Sequence, residues 1–528
     1  MAISRPLSYL ENLAPEHDSP VGQIHPYWAR KPLNIVQLLV CLFSRKGEIV
    51  VDPFVGSGTT VFAALSKGRK AIGADLNPLS IFLTKSILQL LDSPLEKTQA
   101  ATEFVEELSR QIMPMFQYSD SHLVERERFT VQGEYEDGNF ELLPTEVVLK
   151  RMQGKALRGR SVEKPVASWM ERNATIPLLS NPVDFEALRL LPNSRIAIPS
   201  GATLGDFYEK KNQVAINLAL RLIASEKYGK ENESILRLLL SASLPLLRLS
   251  DKKASSQWPY WRPKDHLTSR NPIPILRDKL AAIERAVEWL KANVANQSEG
   301  ELSTRVELHN EAIQLLIPKH VQPGQADLVL TDPPYSDQAP YLEYSALWIQ
   351  LMGMKLPLHA YENEIVKTDA PSRVEDTNDY VQRLRDGIRE CARLVKPDGY
   401  LVWFYQDHNI QHWAALDEEM AGNGLRMLNV VPLPKQRRSM KTVTSPGKTL
   451  DGDLILIFKK TLLDSSHRQH YSSVRNLVHS ALDSVPASNY FHRYAAVVKI
   501  ALKFHLFGLL SSSFEDLREL VSSAERWR

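Results

Sequence analysis

The stretch from Glu48 to Asp75 limits the folds open to this chain more than any other. Glu48-Ile49-Val50-Val51-Asp52 is a short apolar run, as a strand buried on both faces requires, and it leads into Pro53-Phe54-Val55-Gly56-Ser57-Gly58-Thr59-Thr60. From Thr59 to Lys67 the apolar spacing is helical. Lys70 to Ala74 is strand-like again, closed by Asp75 and by Asn77-Pro78, a helix-start signal. Strand, glycine-rich turn, helix and strand in that order form the first half of a doubly wound α/β sheet. Gly56-x-Gly58 alone is weak evidence of a ligand, because glycine in such a turn need only supply φ > 0. Asp75 strengthens it: a carboxylate ending the second strand can accept both hydroxyls of a ribose while the glycines let a ligand approach the backbone. A dinucleotide fingerprint asks for a third glycine, whereas Thr59 and Thr60 follow here, so a cofactor without phosphates fits better.

The rest of such a sheet is legible far downstream. Arg305-Val306-Glu307-Leu308 is strand-like, and Ala326 to Leu330 is an apolar strand that stops at Asp332-Pro333-Pro334-Tyr335. Proline lacks the N–H that a ladder needs, so a carboxylate, two carbonyls and a ring are left at the strand's carboxyl end. That is the end at which open α/β sheets bind ligands. Tyr400 to Tyr405, Leu425 to Val431 and Asp453 to Phe458 read as further strands, and Pro32 to Phe43, Leu342 to Leu351 and Tyr380 to Leu394 as helices. With Glu48 and Lys70 the strands reach seven.

At 528 residues the chain exceeds one compact core. Residues 1–90 and 301–460 carry the sheet, 91–300 are an insert and 461–528 a helical extension. The insert reads as mixed and mainly helical, with helices at Ala101 to Phe116, Val214 to Ser225, Glu231 to Leu244 and Pro274 to Ala295, and short strands in a polar section. Lys plus Arg at 64 and Asp plus Glu at 62 nearly cancel, so affinity for a polyanion has to come from local clusters. One lies between Lys150 and Lys164 and reads as a basic loop, one is Trp258-Pro259-Tyr260-Trp261 among Arg262, Lys264 and Arg270, and one spans Lys435 to Lys448. A solvated loop is the commoner explanation of the first and loop packing that of the second, while for the third a loop touching phosphates and a merely soluble one explain it equally well; the first two together still make the insert a candidate for substrate recognition. Cys41 and Cys391 fall in apolar helical patterns and are expected as buried thiols without metal or disulfide spacing. No apolar run is long enough to span a bilayer and no signal-peptide core opens the chain, so a cytoplasmic protein is expected.

His25-Pro26, Lys31-Pro32, DPFVGSGTT from Asp52, GADLNP from Gly73, TDPPY from Thr331 and LVKPDGYLVWF from Leu394 together resemble the amino-methyltransferases of DNA, the N6-adenine and N4-cytosine enzymes. The resemblance covers roughly the first ninety residues and Arg305 to Lys460. It implies a seven-stranded Rossmann-like sheet, S-adenosyl-L-methionine as cofactor, double-stranded DNA as substrate and no metal. In that family the KP segment and the glycine turn hold the methionine part of the cofactor and the acid after the second strand holds the ribose. Carried over, these are Lys31, Pro32, Asp52, Phe54, Gly56, Gly58, Thr59 and Asp75, with Asn310 in place of the usual acid near the cofactor's adenine. Asp332, Pro333, Pro334 and Tyr335 take the catalytic place: the target amine is held by Asp332 and the Pro333 carbonyl, and the flipped base stacks on Tyr335. DNA contacts are expected from Lys155, Arg158, Arg160, Lys435, Arg437, Arg438 and Lys441. The motif order is that of the alpha-ordered group, which makes the insert the target-recognition region by position, while the wording DPFVGSGTT is that of the beta-ordered group. Asp332 favours adenine-N6, and cytosine-N4, for which serine is commoner at that place, is the nearest alternative. An NAD-dependent oxidoreductase is disfavoured by the missing third glycine. A DNA-binding protein with a relict cofactor fold, RNA or protein amides as acceptors, and restriction or phage-defence partner proteins stay open.

Overall fold

The computed structural model describes residues 10, 13–16, 18–133, 140–153, 156–174, 182–251, 265–297, 301–335, 339–373, 377–434, 450, 452–461, 474–486 and 490–526. Strands β1 (Ile49–Asp52) and β2 (Lys70–Ala74) come first. The insert holds β3 (Gln117–Ser119), β4 (His122–Gln132), β5 (Glu141–Gln153), β6 (Ala156–Glu163), β7 (Ser250–Asp251) and β8 (His266–Arg270). Then follow β9 (Val306–His309), β10 (Ala326–Thr331), β11 (Val395–Tyr405), β12 (Leu425–Pro434) and β13 (Gly452–Lys460).

The seven strands outside the insert form one mixed sheet in the order β12-β13-β11-β10-β1-β2-β9. From β9 to β11 the strands are parallel, and β13 runs antiparallel between β11 and β12. The chain moves outward from β1 to β2 and β9, then returns to lay β10 against the other side of β1. That reversal opens a crevice at the carboxyl ends of β1 and β10, where Asp52 and Asp332 stand. All six residues of β10 are buried, and Leu328-Val329-Leu330 at its centre form an apolar run between Asp327 and Thr331; each such Leu or Val side chain contributes about 1.5–3 kcal/mol relative to exposure. Period-two alternation divides the two cores: Val50, Leu328 and Leu330 face one, and Val51 and Val329 the other.

The first core is roofed by helices Leu33–Phe43, Thr59–Ser66 and Pro78–Leu88 and, continuous with them, by insert helices Pro94–Phe116, Lys210–Ala224, Glu233–Leu247 and Pro272–Asn293. The insert therefore shares a hydrophobic core with the sheet. Helices Thr377–Leu394, Ile410–Gly422 and, from the carboxyl-terminal extension, Tyr490–Lys503 cover the other face.

Two expectations about the insert and the thiols need correction. The polar section of the insert is a six-stranded sheet with the path β6-β5-β4-β8-β7 and β3 paired to β4, and β5 alone has 13 residues. The strands escape sequence reading because one face is polar and because bulges at Val124/Arg126, Arg128/Phe129 and Leu149/Arg151 interrupt the alternation. The supposed basic loop is accordingly a hairpin: Lys150 and Arg151 lie on β5, and Arg158 and Arg160 on β6, with Arg151 in register with Arg158. Cys391 is buried, but Cys41 is exposed. It sits on the outward face of a helix whose buried residues are Leu33, Ile35, Val36, Leu39, Val40 and Phe43, and a helix apolar nearly all round hides which face points out. No helix among the described residues is long and apolar enough to cross a membrane.

Candidate active site

The glycine turn is built by backbone bonds that only small residues permit. Val55 N–H donates to the Ala74 carbonyl (2.9 Å) and Gly58 N–H to the Val55 carbonyl (2.8 Å), with Gly56 and Gly58 at φ +51° and +83°. The Tyr27 ring lies over Gly56, where an added Cβ would come within 3.3 Å of it. Asp75 accepts Gly56 N–H on one oxygen and Asn77 N–H on the other, both at 2.8 Å. The carboxylate is thereby locked to the turn with lone pairs left toward the cleft. Burial, partly opposed by those two hydrogen bonds, raises its pKa to about 6.

Asp52 ties the two central strands together. It accepts the Thr331 hydroxyl (2.7 Å) from β10 and the Phe54 N–H (3.1 Å) from its own turn. Burial dominates over hydrogen bonds from Thr331, Thr60 and Phe54 and lifts its pKa to about 6. A carboxyl raised in the folded state favours folding when protonated, so this contribution is full below the ordinary value of 3.8 and is lost as pH climbs toward about 6. Asp52→Asn does not ionise. Its stability relative to the parent should therefore improve by about 2.4 kcal/mol between pH 4 and pH 7, at about 1.4 kcal/mol per pKa unit. Urea unfolding at a series of pH values measures this, and a difference that does not change with pH would refute it.

At the end of β10, Asp332 accepts a hydrogen bond from the Tyr335 hydroxyl and lies 3.1 Å from Lys31 Nζ. Burial, countered by Lys31 and reinforced by Asp453, holds its pKa at about 6. Lys31 Nζ also donates to Asp453 Oδ2 (2.7 Å) and to the Tyr335 hydroxyl (3.0 Å). Tyr335 is buried, with its ring edge-on to Tyr405 at 5.6 Å and 81°.

A cleft of about 900 Å³, counting space open to solvent, joins the glycine turn to Asp332. Lys31, Asp52, Phe54, Gly56, Thr59, Asp75, Asp332 and Pro334 line it. Pro32, Gly58, Asn310, Pro333 and Tyr335 do not line it. Pro32 caps the helix Leu33–Phe43 and Gly58 the helix Thr59–Ser66. The Asn310 amide donates to the carbonyls of Asp75 (2.9 Å) and Leu76 (3.1 Å), so it braces the turn carrying the acid. Three lining residues carried no sequence signal. Arg30 reaches the Ser57 hydroxyl (3.0 Å) and the His25 carbonyl (2.9 Å), Tyr341 stacks on Tyr27 at 6.1 Å, and Glu364 is buried against Arg373 (2.7 Å). Only Arg30, inside HPYWARKP, stood beside a quoted motif. Among the described residues no His, Cys, Asp and Glu side chains group as a metal site.

Of the residues expected at DNA, Arg158 lies on β6, and Arg160 is exposed, 3.8 Å from Glu125. Lys155, Lys435, Arg437, Arg438, Lys441 and the cluster Trp258 to Trp261 fall outside the described residues.

Residues 8–84 and 326–492, which hold both halves of this cleft, match the model of the DNA methylase family. The chain is 49% identical over 49 residues to type II methyltransferase M.HindIII of Haemophilus influenzae, covering 9% of this chain and 16% of that protein. It is 32% identical over 77 residues to type II methyltransferase M.MjaII of Methanocaldococcus jannaschii, covering 15% and 14%. To the DNA adenine methyltransferase YhdJ of Escherichia coli it is 42% identical over 53 residues, covering 10% and 17%. The chain spans about a sixth of the length of these relatives. A solved structure described as a DNA modification methylase of Thermus thermophilus, complexed with S-adenosyl-L-methionine, aligns at 18% identity over 35% of this chain and 61% of that chain, with a TM-score of 0.17.

Proposed function

We propose that the chain is a member of the DNA methylase family whose model matches residues 8–84 and 326–492, and that it methylates the exocyclic amine of adenine in double-stranded DNA. The observation that carries this reading is the crevice in which Asp332 and the Gly56–Asp75 turn line one cleft.

The cleft fits S-adenosyl-L-methionine by the chemistry of its donors and by its shape. Asp75 offers carboxylate lone pairs to ribose hydroxyls, Arg30 offers a guanidinium to the methionine carboxylate, and Phe54, Ile313 and Ile365 offer apolar walls to an adenine. Gly56 has no side chain in the space between turn and Tyr27. When bound, the cofactor supplies an electrophilic methyl group on a sulfonium.

Asp332 does the work on the substrate amine. The nitrogen lone pair is delocalised into the ring and is a poor nucleophile. Accepting an N–H hydrogen bond, the carboxylate favours a pyramidal nitrogen with its lone pair free, and it stabilises the positive charge that develops there. Asp332 also takes up the proton the methylated nitrogen releases. Extruding a base from the duplex costs a few kcal/mol, and one aromatic platform returns about 1–3 kcal/mol. Tyr341, half-buried on the cleft wall, is better placed for this than Tyr335. Arg160, exposed on the insert hairpin, supplies a phosphate contact.

The test is long-read modification mapping, with digestion to nucleosides, of DNA from a methyltransferase-free host expressing the chain. N6-methyladenine at one sequence is the expected result. N4-methylcytosine without N6-methyladenine would move the assignment to cytosine, and unmodified DNA would end it.

A further inference from the structure

Lys31, the lysine of the KP segment, lines the cleft and brings its ammonium to two carboxylates. Its ammonium has three N–H groups and three partners: Asp453 at 2.7 Å, Asp332 at 3.1 Å and the Tyr335 hydroxyl at 3.0 Å. It also sits 5.2 Å from the Tyr335 ring and 5.3 Å from the Phe404 ring. Asp453 reaches the spot because β13 is antiparallel to β11, with Leu454 in register with Tyr405. The start of β13 thus arrives at the edge where β10 and β11 end. An all-parallel sheet would put a strand's last residue there instead.

Two carboxylates share one buried ammonium, so the group carries a net charge of −1 when both acids are ionised. The charged or titratable groups facing Asp332 are Lys31, Asp453, Tyr335 and, from the segment after the second proline, Tyr341. We infer that Lys31 and Asp453 are positioning residues for methyl transfer: Lys31 aims and ionises Asp332, and Asp453 holds Lys31 while opposing that ionisation. The catalytic role rests on the function proposed above; the charge relation does not. The pair also explains why Asp332 keeps a raised pKa with a lysine beside it, since burial comes first and Asp453 works against the lysine.

A merely structural ion pair, pinning the segment before Leu33 to the sheet, predicts that either truncation loosens the fold and nothing more. The charge relation predicts opposite signs. Aspartate carboxyl-¹³C labelling of the full chain without cofactor, with Asp332→Asn as the assignment control, gives the Asp332 midpoint directly. Asp453→Asn keeps an oxygen for Lys31 and removes the competing charge, so the midpoint should fall. Lys31→Met removes the cation, so it should rise; about one pH unit either way is expected for charges at these distances. Midpoints that coincide with the parent's, or that move in the same direction, overturn the inference. So does Lys31→Met raising the KM for S-adenosylmethionine with the midpoint unmoved. In single-turnover transfer to genomic DNA from a methyltransferase-free host, the acid limb of the rate should follow the same order. Ordered midpoints without any transfer to DNA would sustain the charge relation and end the proposed function.

Discussion

Asp332→Ala is expected to lower methyl transfer to DNA by about a hundred- to a thousandfold, the usual effect of deleting one group that stabilises developing charge. S-adenosylmethionine affinity should stay within about twofold of the parent's, because the turn of Gly56 and Asp75 does not touch Asp332. The variant should also fold. Deleting a partner from a buried ion pair is harmful chiefly when it strands a charge, and here Lys31 keeps Asp453 at 2.7 Å. In the parent, Asp332 titrates at about 6 and works as the anion, so the rate should be full above that pH and fall as pH drops through it. Transfer of tritiated methyl groups and calorimetry of cofactor binding separate the two effects. An alanine variant that retains full activity would remove Asp332 from the mechanism.

Gly58→Ala should be the most destabilising single methyl added to the glycine turn. At φ +83° the left-handed backbone costs a non-glycine residue about 1–2 kcal/mol. The new Cβ would also lie 2.7 Å from Thr84 Oγ1 and 2.8 Å from Phe62 Cε2, and forcing atoms into a packed core costs about 1–3 kcal/mol more. Gly47 is the internal control: it too has φ +83°, but nothing lies within 4 Å of its Cβ position. Gly47→Ala should therefore lose only the backbone share, and Gly58→Ala about 2–5 kcal/mol with weakened cofactor binding. Urea unfolding of the two variants checks this, and equal losses would show that packing at Thr84 is irrelevant.

What could be read from the sequence follows from how each element is buried. Val50-Val51 and Leu328-Val329-Leu330 are covered on both faces, so their strands appear as bare apolar runs between breakers. β4 and β5 are half-wet and bulged, so Glu125-Arg126-Glu127-Arg128 looks like a polar coil until β5 and β8 are laid beside it. The site divides in the same way. Asp75 and Asp332 end strands next to glycine or proline and are marked by that punctuation. Asp453 stands at the start of β13, an otherwise ordinary apolar strand, and Lys31 is 422 residues from it, so no local pattern could join them. Asn310 was visible by position, but what its amide donates to depends on where the Asp75 turn passes.

The parallel pairing of β1 with β10 also has a consequence in time. Asp52 and the Thr331 hydroxyl that caps it are 279 residues apart, and at about 5–20 residues per second a ribosome takes about 14–56 s to cover that interval. Throughout, β1 can pair only with β2, and its other edge stays open, an invitation to wrong partners. Emergence of the insert helices offers early cover for the first core, yet the crevice cannot close until β10 emerges. A message cut anywhere inside the insert would yield a polypeptide with the glycine turn and no Asp332, so this cleft assembles late in synthesis or not at all.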